Sequence, residues 1–183
     1  EGNTSNIGVT GTPIQVDLAP LPDLVVDNVT WPPDAATAAG QPLDVSWTVL
    51  NNGNAPAAPP WTDTVYLSLD GTLANAHLLA EFIHPNYLPA SEQYTRTESV
   101  VLPVLDDGPY TLVAVTDSEL NVFERENDTN NTTPATSPLQ LPHPDLIVTG
   151  VDLDTTSALS GDALTVEWTV ENSTDAWATT PTG

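Results

Sequence analysis

Hydrophobic positions in this chain recur every second residue over short runs, and Pro, Gly and Asn cut the runs apart. In Leu43-Asp44-Val45-Ser46-Trp47-Thr48-Val49, the residues Val45, Trp47 and Val49 fall on one face, and Ser46 and Thr48 on the other. A period of two marks a half-buried strand. Similar runs predict strands near 23–30, 43–50, 62–69, 77–84, 92–102, 109–116 and 134–141. They are spaced about ten residues apart, with turn residues such as Asn52-Gly53-Asn54 and Asp107-Gly108-Pro109 between them, which is the signature of a β-sandwich. No stretch holds a 3.6-residue period with caps, so almost no helix is expected. The fold class is all-β, an antiparallel sandwich.

The pattern also repeats on a longer scale. Pro22-Asp23-Leu24-Val25-Val26 returns as Pro144-Asp145-Leu146-Ile147-Val148, and Leu43 to Val49 returns as Leu164-Thr165-Val166-Glu167-Trp168-Thr169-Val170. Both copies then reach an asparagine, Asn51 and Asn172. Asn3-Thr4-Ser5-Asn6 resembles Asn127-Asp128-Thr129-Asn130. Residues 1–20 therefore read as the tail of one repeat, 21–143 as a complete unit and 144–183 as the start of another, with tandem repeats expected. Glu1 is not a natural start, and the expectation is a window cut from a longer array. The segment Pro138 to Pro144 reads as a short stiff joint.

Composition narrows the function. The chain has 183 residues, with 25 acidic side chains against 2 basic ones, Arg96 and Arg125, for a formal net charge of -23. Phosphate backbones and anionic membrane surfaces need Lys and Arg, so neither nucleic acid nor a polybasic membrane contact is an expected partner. The absence of cysteine removes disulfides, thiolate metal sites and thiol catalysis. No apolar run approaches membrane-spanning length, and no signal peptide opens the chain.

Several segments together resemble the CARDB domain, the cell-adhesion-related domain found in bacteria. They are Pro22 to Val26, Val45-Ser46-Trp47-Thr48-Val49-Leu50-Asn51-Asn52-Gly53, Trp61 to Asp70, Tyr110 to Asp117, and Val122-Phe123-Glu124 running on to Asn127-Asp128-Thr129-Asn130-Asn131. The resemblance implies an immunoglobulin-like sandwich, usually in tandem, in large secreted or surface proteins, and it implies no activity.

The acidic and amide-rich stretch 117–131 is the best candidate for a site. It holds Asp117, Glu119, Glu124, Glu126, Asn127, Asp128, Asn130 and Asn131, with Asp63 and Asp70 as contributors from a neighbouring strand. Calcium takes six to eight hard oxygen ligands, and this stretch is rich in them. The competing reading is that Asn and Asp only build turns there. Trp47, Trp168 and Trp61 read as core. Trp31 and Trp177 lack strand alternation and read as domain-interface packing or as stacking faces for sugar rings. His77, His84 and His143 do not cluster. The adjacent Asp106-Asp107 sits on a turn and points two ways, unlike a catalytic pair. Glycosylation sequons stand at Asn3, Asn28, Asn127, Asn130, Asn131 and Asn172.

The expected function is a non-enzymatic structural or adhesive repeat, extracellular or at the cell surface. It would assemble head to tail with neighbouring repeats or subunits, by strand complementation, in a fibre or filament stiffened by calcium. The alternative is a carbohydrate-binding or accessory module of a secreted enzyme, with surface polysaccharide as the partner.

Overall fold

The alternation in the second run becomes strand β2, Pro42–Asn51, in which Leu43, Val45, Trp47, Val49 and Asn51 are buried. Outward from the same strand, Ser46 and Thr48 meet Thr97 and Thr95 of β5 as hydroxyl pairs at 2.7 and 2.9 Å. The computed structural model describes residues 17–33 and 37–173, together with Gly11 and Gln15. Its other strands are β1 Leu24–Thr30, β3 Trp61–Ser68, β4 His77–His84, β5 Gln93–Val101, β6 Gly108–Val115, β7 Thr132–Pro134, β8 Leu139–Leu141, β9 Leu146–Leu153 and β10 Val166–Asn172. The one helical element among the described residues is a 3₁₀ turn, Asp128–Asn130.

Two sheets face each other. One has the order β1-β2-β5, and the other runs β4-β3-β6-β7 with β8 also on β6. All strand pairs are antiparallel. The predicted run 134–141 is two strands instead of one, because Pro134 and Pro138 bring no N–H to a continuous ladder. Leu139 and Leu141 are buried, so the predicted joint from Pro138 is in large part sandwich, and only Pro142 to Pro144 remain as connector. Tyr110, near the start of β6, donates its hydroxyl to the Asp106 carbonyl at 3.0 Å, the tyrosine corner of immunoglobulin-like sandwiches. The fold is an immunoglobulin-like antiparallel β-sandwich.

The core is mostly apolar, and its central polar group is a carboxylate. Leu24, Val26, Val29, Trp47, Trp61, Val65, Leu67, Leu112 and Leu141 fill the space between the sheets. Among them lies Asp63, with no solvent exposure. Its Oδ2 accepts from Trp47 Nε1 at 3.0 Å and from the Tyr94 hydroxyl at 2.6 Å, and its Oδ1 accepts from Thr116 Oγ1 at 2.8 Å. Trp47 and Tyr94 belong to one sheet, while Asp63 belongs to the other, so the carboxylate bridges the layers. Burial and the facing Asp63 carboxylate raise the Tyr94 phenol far above its ordinary range, so it keeps its proton and donates it to Asp63, while its oxygen accepts from Trp61 Nε1 at 3.3 Å.

β9 and β10 form a separate two-stranded sheet that copies the β1–β2 hairpin. β1 carries a bulge at Asp27, and β9 carries one at the corresponding Thr149. The burial is opposite. Trp47 is 1% exposed and its counterpart Trp168 is 66% exposed.

Replacing Asp63 with Ala strands two buried donors, Trp47 and Thr116, and the half-buried Tyr94, and we expect it to cost about 4 kcal/mol in chemical denaturation. Tyr94→Phe should cost about 1 kcal/mol. Because the two share one network, the double variant should cost less than the sum of the singles. Strict additivity would mean that Tyr94 and Asp63 act independently.

Candidate functional site

The 117–131 loop leaves β6 through Thr116, which is tied to Asp63, and returns to the sheet at β7. Its shape is set by its own polar groups. Asp117 sits at φ 46, a left-handed conformation that Asp tolerates, and its two oxygens accept from the Asn121 and Val122 N–H groups at 2.8 and 2.9 Å. That turn buries Val122 in the core. Burial pushes the Asp117 carboxyl up, the two N–H donors hold it back, and the neighbouring Asp128 and Asp63 add to the rise.

Two residues further, Glu124 turns inward and is 2% exposed. Its Oε1 accepts the N–H of Leu24 at 2.7 Å, at the first residue of β1. The loop thereby holds the start of the first strand. Burial pushes the Glu124 carboxyl up to about 7, and the charges of Asp117 and Asp23 push the same way. The Leu24 N–H and the adjacent Asn131 amide oppose the rise. Asn131 lies close enough to favour the ionised carboxylate, but in a geometry short of a hydrogen bond, so Glu124 Oε2 and both Asn131 amide atoms have no hydrogen-bond partner.

Asp23, one residue before β1, is the second anchor. Its N–H donates to Asn51 Oδ1 at 3.1 Å, and its carbonyl accepts from the Asn52 N–H at 2.7 Å. Its carboxylate accepts from Asn52 Nδ2 at 3.0 Å and from Asn130 Nδ2 at 2.8 Å. Asn51 is used to capacity, since it also accepts from the Gly53 N–H and donates to the Ala55 and Leu88 carbonyls. A Cβ on Gly53 would come within 2.4 Å of the Leu21 carbonyl, so the chain entering β1 crosses this glycine at a distance no other residue permits. A cleft of about 660 Å³ lies between this crossing and the loop, bordered by Asp23, Asn52, Glu124, Glu126 and Asn127.

The predicted ligand residues therefore separate. Asp117, Glu124, Asp128, Asn130 and Asn131 gather at this end of the sandwich, and Asn127 is exposed on the cleft rim. Asp63 does not join them as a ligand, because its carboxylate points into the core. Asp70 does not join them either. It closes the turn after β3, accepting from the Ser68 and Thr72 hydroxyls and the Thr72 N–H, which hold its carboxyl below the usual range. Asn131 is 2% exposed and cannot accept a glycan in the folded unit. Asn130 is occupied by Asp23. Asn28 and Asn127 are exposed, Asn172 is partly exposed, and Asn3 lies outside the described residues.

His84 ends β4 and is buried. It stacks between Trp61 and Tyr94, with ring centroids 4.3 and 4.0 Å apart, and burial lowers its pKa. Trp31 is half-buried against the core, and Trp177 lies outside the described residues. The sequence reading missed the Asp23–Asn51 pairing, although its signal was present. Both residues recur in the second copy, where the Asp145 N–H donates to Asn172 Oδ1 at 3.0 Å and the Ser173 N–H to the Asp145 carbonyl at 2.7 Å.

A sequence profile of the CARDB family matches residues 21–135. Among solved structures, the chain is similar to the crystal structure of the CARDB domain of the PF1109 protein from Pyrococcus furiosus, a complex with di-metal ions. The identity is 21% and the TM-score 0.48, covering 67% of this chain and 90% of that one. The solution structure of the same domain matches at 24% identity and a TM-score of 0.46, covering 66% and 95%. A β-glucosidase involved in saponin metabolism from intestinal bacteria matches at 11% identity and a TM-score of 0.41, covering 66% of this chain and 16% of that one. No curated protein matches the sequence.

Glu124 gives the site a pH signature. Its folded pKa, about 7, is raised above that of an exposed carboxyl. The native state therefore keeps a proton that the unfolded chain releases. The associated stability is full below the unfolded value and is lost as pH rises through about 7, on the order of 2–3 kcal/mol in all. In chelator-treated buffer, wild type should lose stability relative to Glu124→Gln between pH 5 and pH 8. A difference that does not change with pH would show that Glu124 titrates as an ordinary exposed carboxyl.

Proposed function

The chain belongs to the CARDB family, and from that premise we propose that it is a structural or adhesive repeat of an extracellular surface protein, joined head to tail to its neighbours through the β9–β10 hairpin. The family's cell-adhesion association supports the setting. Among the described residues, no helix is long and apolar enough to cross a membrane.

The hairpin carries the assembly reading. Leu146, Val148, Val151, Leu153, Leu164, Val166, Trp168 and Val170 stand 44% to 66% exposed. Seven of their eight counterparts in the first hairpin, Leu24, Val26, Val29, Leu43, Val45, Trp47 and Val49, are buried core residues, and the eighth, Trp31, packs against that core. Leaving such a stripe in water forfeits on the order of 10 kcal/mol of burial. In the first unit the equivalent stripe is covered by β3 and β6, through Trp61, Val65, Leu67 and Leu112. The surface that suits the second stripe is a sheet of that same kind, supplied by a neighbouring subunit or by further repeat sequence in the parent polypeptide. Completing a partial sandwich with foreign elements is an established way to build fibres.

A second reading has one observation in its favour. A cleft of about 350 Å³ is lined by Trp31, Pro33, Thr37, Ser137 and Gln140, an aromatic surface beside hydroxyl and amide groups. That chemistry suits a sugar ring.

In sedimentation velocity, the chain should form species larger than a monomer that persist over a wide dilution series, and Trp168→Asp should return it to monomer. A wild-type protein that stays monomeric at high concentration would remove completion by a neighbouring subunit and leave only completion within the parent polypeptide. For the second reading, affinity electrophoresis through polysaccharide gels should show a retardation that Trp31→Ala abolishes. Equal mobility of the two proteins would eliminate it.

A further inference from the structure

The two sheets are tied together along one side and open along the other. On the tied side, the Thr133 hydroxyl of β7 donates to the Val26 carbonyl of β1 at 2.6 Å. On the open side run β4 and β5, each the end strand of its sheet. An end strand carries a row of unpaired N–H and C=O groups, which is a template for another extended chain. β4 is largely apolar, with Leu78 and Ile83 exposed, and Glu81 is its one carboxylate in a chain of net charge -23. Charge therefore does little to keep a second copy away from this strand.

Folded proteins commonly guard such an edge with lysine. This chain has no lysine and two arginines, and one of the two, Arg96, reaches across the open side. It leaves β5 and donates Nη1 to the Ile83 carbonyl of β4 at 2.9 Å. Its Nε is held by Glu98 Oε1 at 2.8 Å, and its guanidinium lies 5.0 Å over the Phe82 ring. The Ile83 carbonyl belongs to the outward set of β4, because the groups of an antiparallel strand alternate between its partner and its free side. The other half of β4 has a different guard. Its register against β3 slips between Val65 and Tyr66, which leaves Leu79 as an extra residue and bends the edge there. Residues 80–84 are the regular stretch of this edge, and Arg96 covers them.

We propose that Arg96 is a lock on the β4 edge. With Arg96 in place the unit does not accept a second copy's β4, and without it two copies pair edge to edge through residues 80–84 into one continuous sheet. A second copy fits because the stretch is complementary to itself. In an antiparallel pair related by a two-fold axis at Phe82, the outward groups of Ile83 in one copy meet those of Glu81 in the other, so the two carboxylates are not directly opposite. The lock governs lateral contacts between units, and it stands apart from the hairpin reading, in which units join end to end.

The test is sedimentation equilibrium of Arg96→Met, which keeps an aliphatic stem over Phe82 but has no donor for Ile83. Every protein compared carries Trp168→Asp, so that hairpin contacts add nothing to the difference. The buffer holds about 0.5 M sodium chloride, where repulsion between the acidic copies is screened within a few ångströms. Arg96→Met should dimerise at a concentration at least about tenfold lower than its parent. Adding Ile83→Pro, which removes an outward N–H and no bond to β3, should restore the parent's behaviour. Unchanged association in Arg96→Met would overturn the proposal. So would a dimer that survives Ile83→Pro, since the pairing would then lie elsewhere. If Arg96→Met does not fold, Arg96→Gln, whose amide is too short to bridge the two strands, takes its place with the same outcomes.

Discussion

A single buried carboxylate sets the geometry from which the rest of this fold follows. Asp63 has no water to solvate it, so it must find its donors in the protein. Trp47 and Tyr94 from the opposing sheet and Thr116 from its own side supply them. Aliphatic residues filling the same space could match the bridge in stability, since buried polar pairs offset much of their own desolvation. The bridge adds direction. Sliding β2 or β5 by one residue against the core would turn Trp47 or Tyr94 to the outer face and strand the carboxylate, so one register is favoured over its neighbours.

That choice of register passes outward through Thr116. The hydroxyl that serves Asp63 belongs to the residue before Asp117, and Asp117 folds the next turn around its own carboxylate. The turn seats Val122 in the core and brings Glu124 onto the N–H of Leu24. Asn130, at the end of the 3₁₀ turn, closes on Asp23. The loop and the first strand are thus held by polar contacts between residues about a hundred positions apart. With acidic groups so far in excess of basic ones, the chain has few cations of its own for this region. Its carboxylates rely on N–H groups, amides and hydroxyls, and Glu124 has the fewest of these.

The strands were legible because apolar and polar residues alternate along them, as burial does in β2 and β5, and that period does not depend on knowing the partner strand. The broken last strand was not, since pattern alone does not show where Pro134 and Pro138 end a ladder. The site was half legible. Residue types located the 117–131 loop but not the direction of each side chain. Asp63 shows the cost of ignoring parity. It shares the face of Trp61 and Val65, so alternation by itself places it in the core and not at a surface ion site. Asn131 shows the opposite limit. A sequon is a local pattern, and the burial that blocks it comes from distant segments. His84, the last residue of β4, is buried by ring stacking between Trp61 and Tyr94, which no linear pattern encodes.

The two hairpins separate what local sequence determines from what packing determines. β9–β10 takes up the pairing of β1–β2, with the bulge at the matching residue and the same Asp-to-Asn closure at the open end, although nothing comparable to β3 and β6 covers it among the described residues. The hairpin geometry therefore belongs to the sequence of the hairpin, through the Pro-Asp-Leu start and the asparagine that ends the second strand. Covering the apolar stripe is a separate, non-local event. A two-stranded sheet with one apolar face is marginal in water by itself. Its stability has to come from a second layer, and a stripe matched to β3 and β6 in one unit is already shaped for an equivalent sheet. In the proposed head-to-tail assembly, recognition between units would need no surface beyond the one that closes the core within a unit.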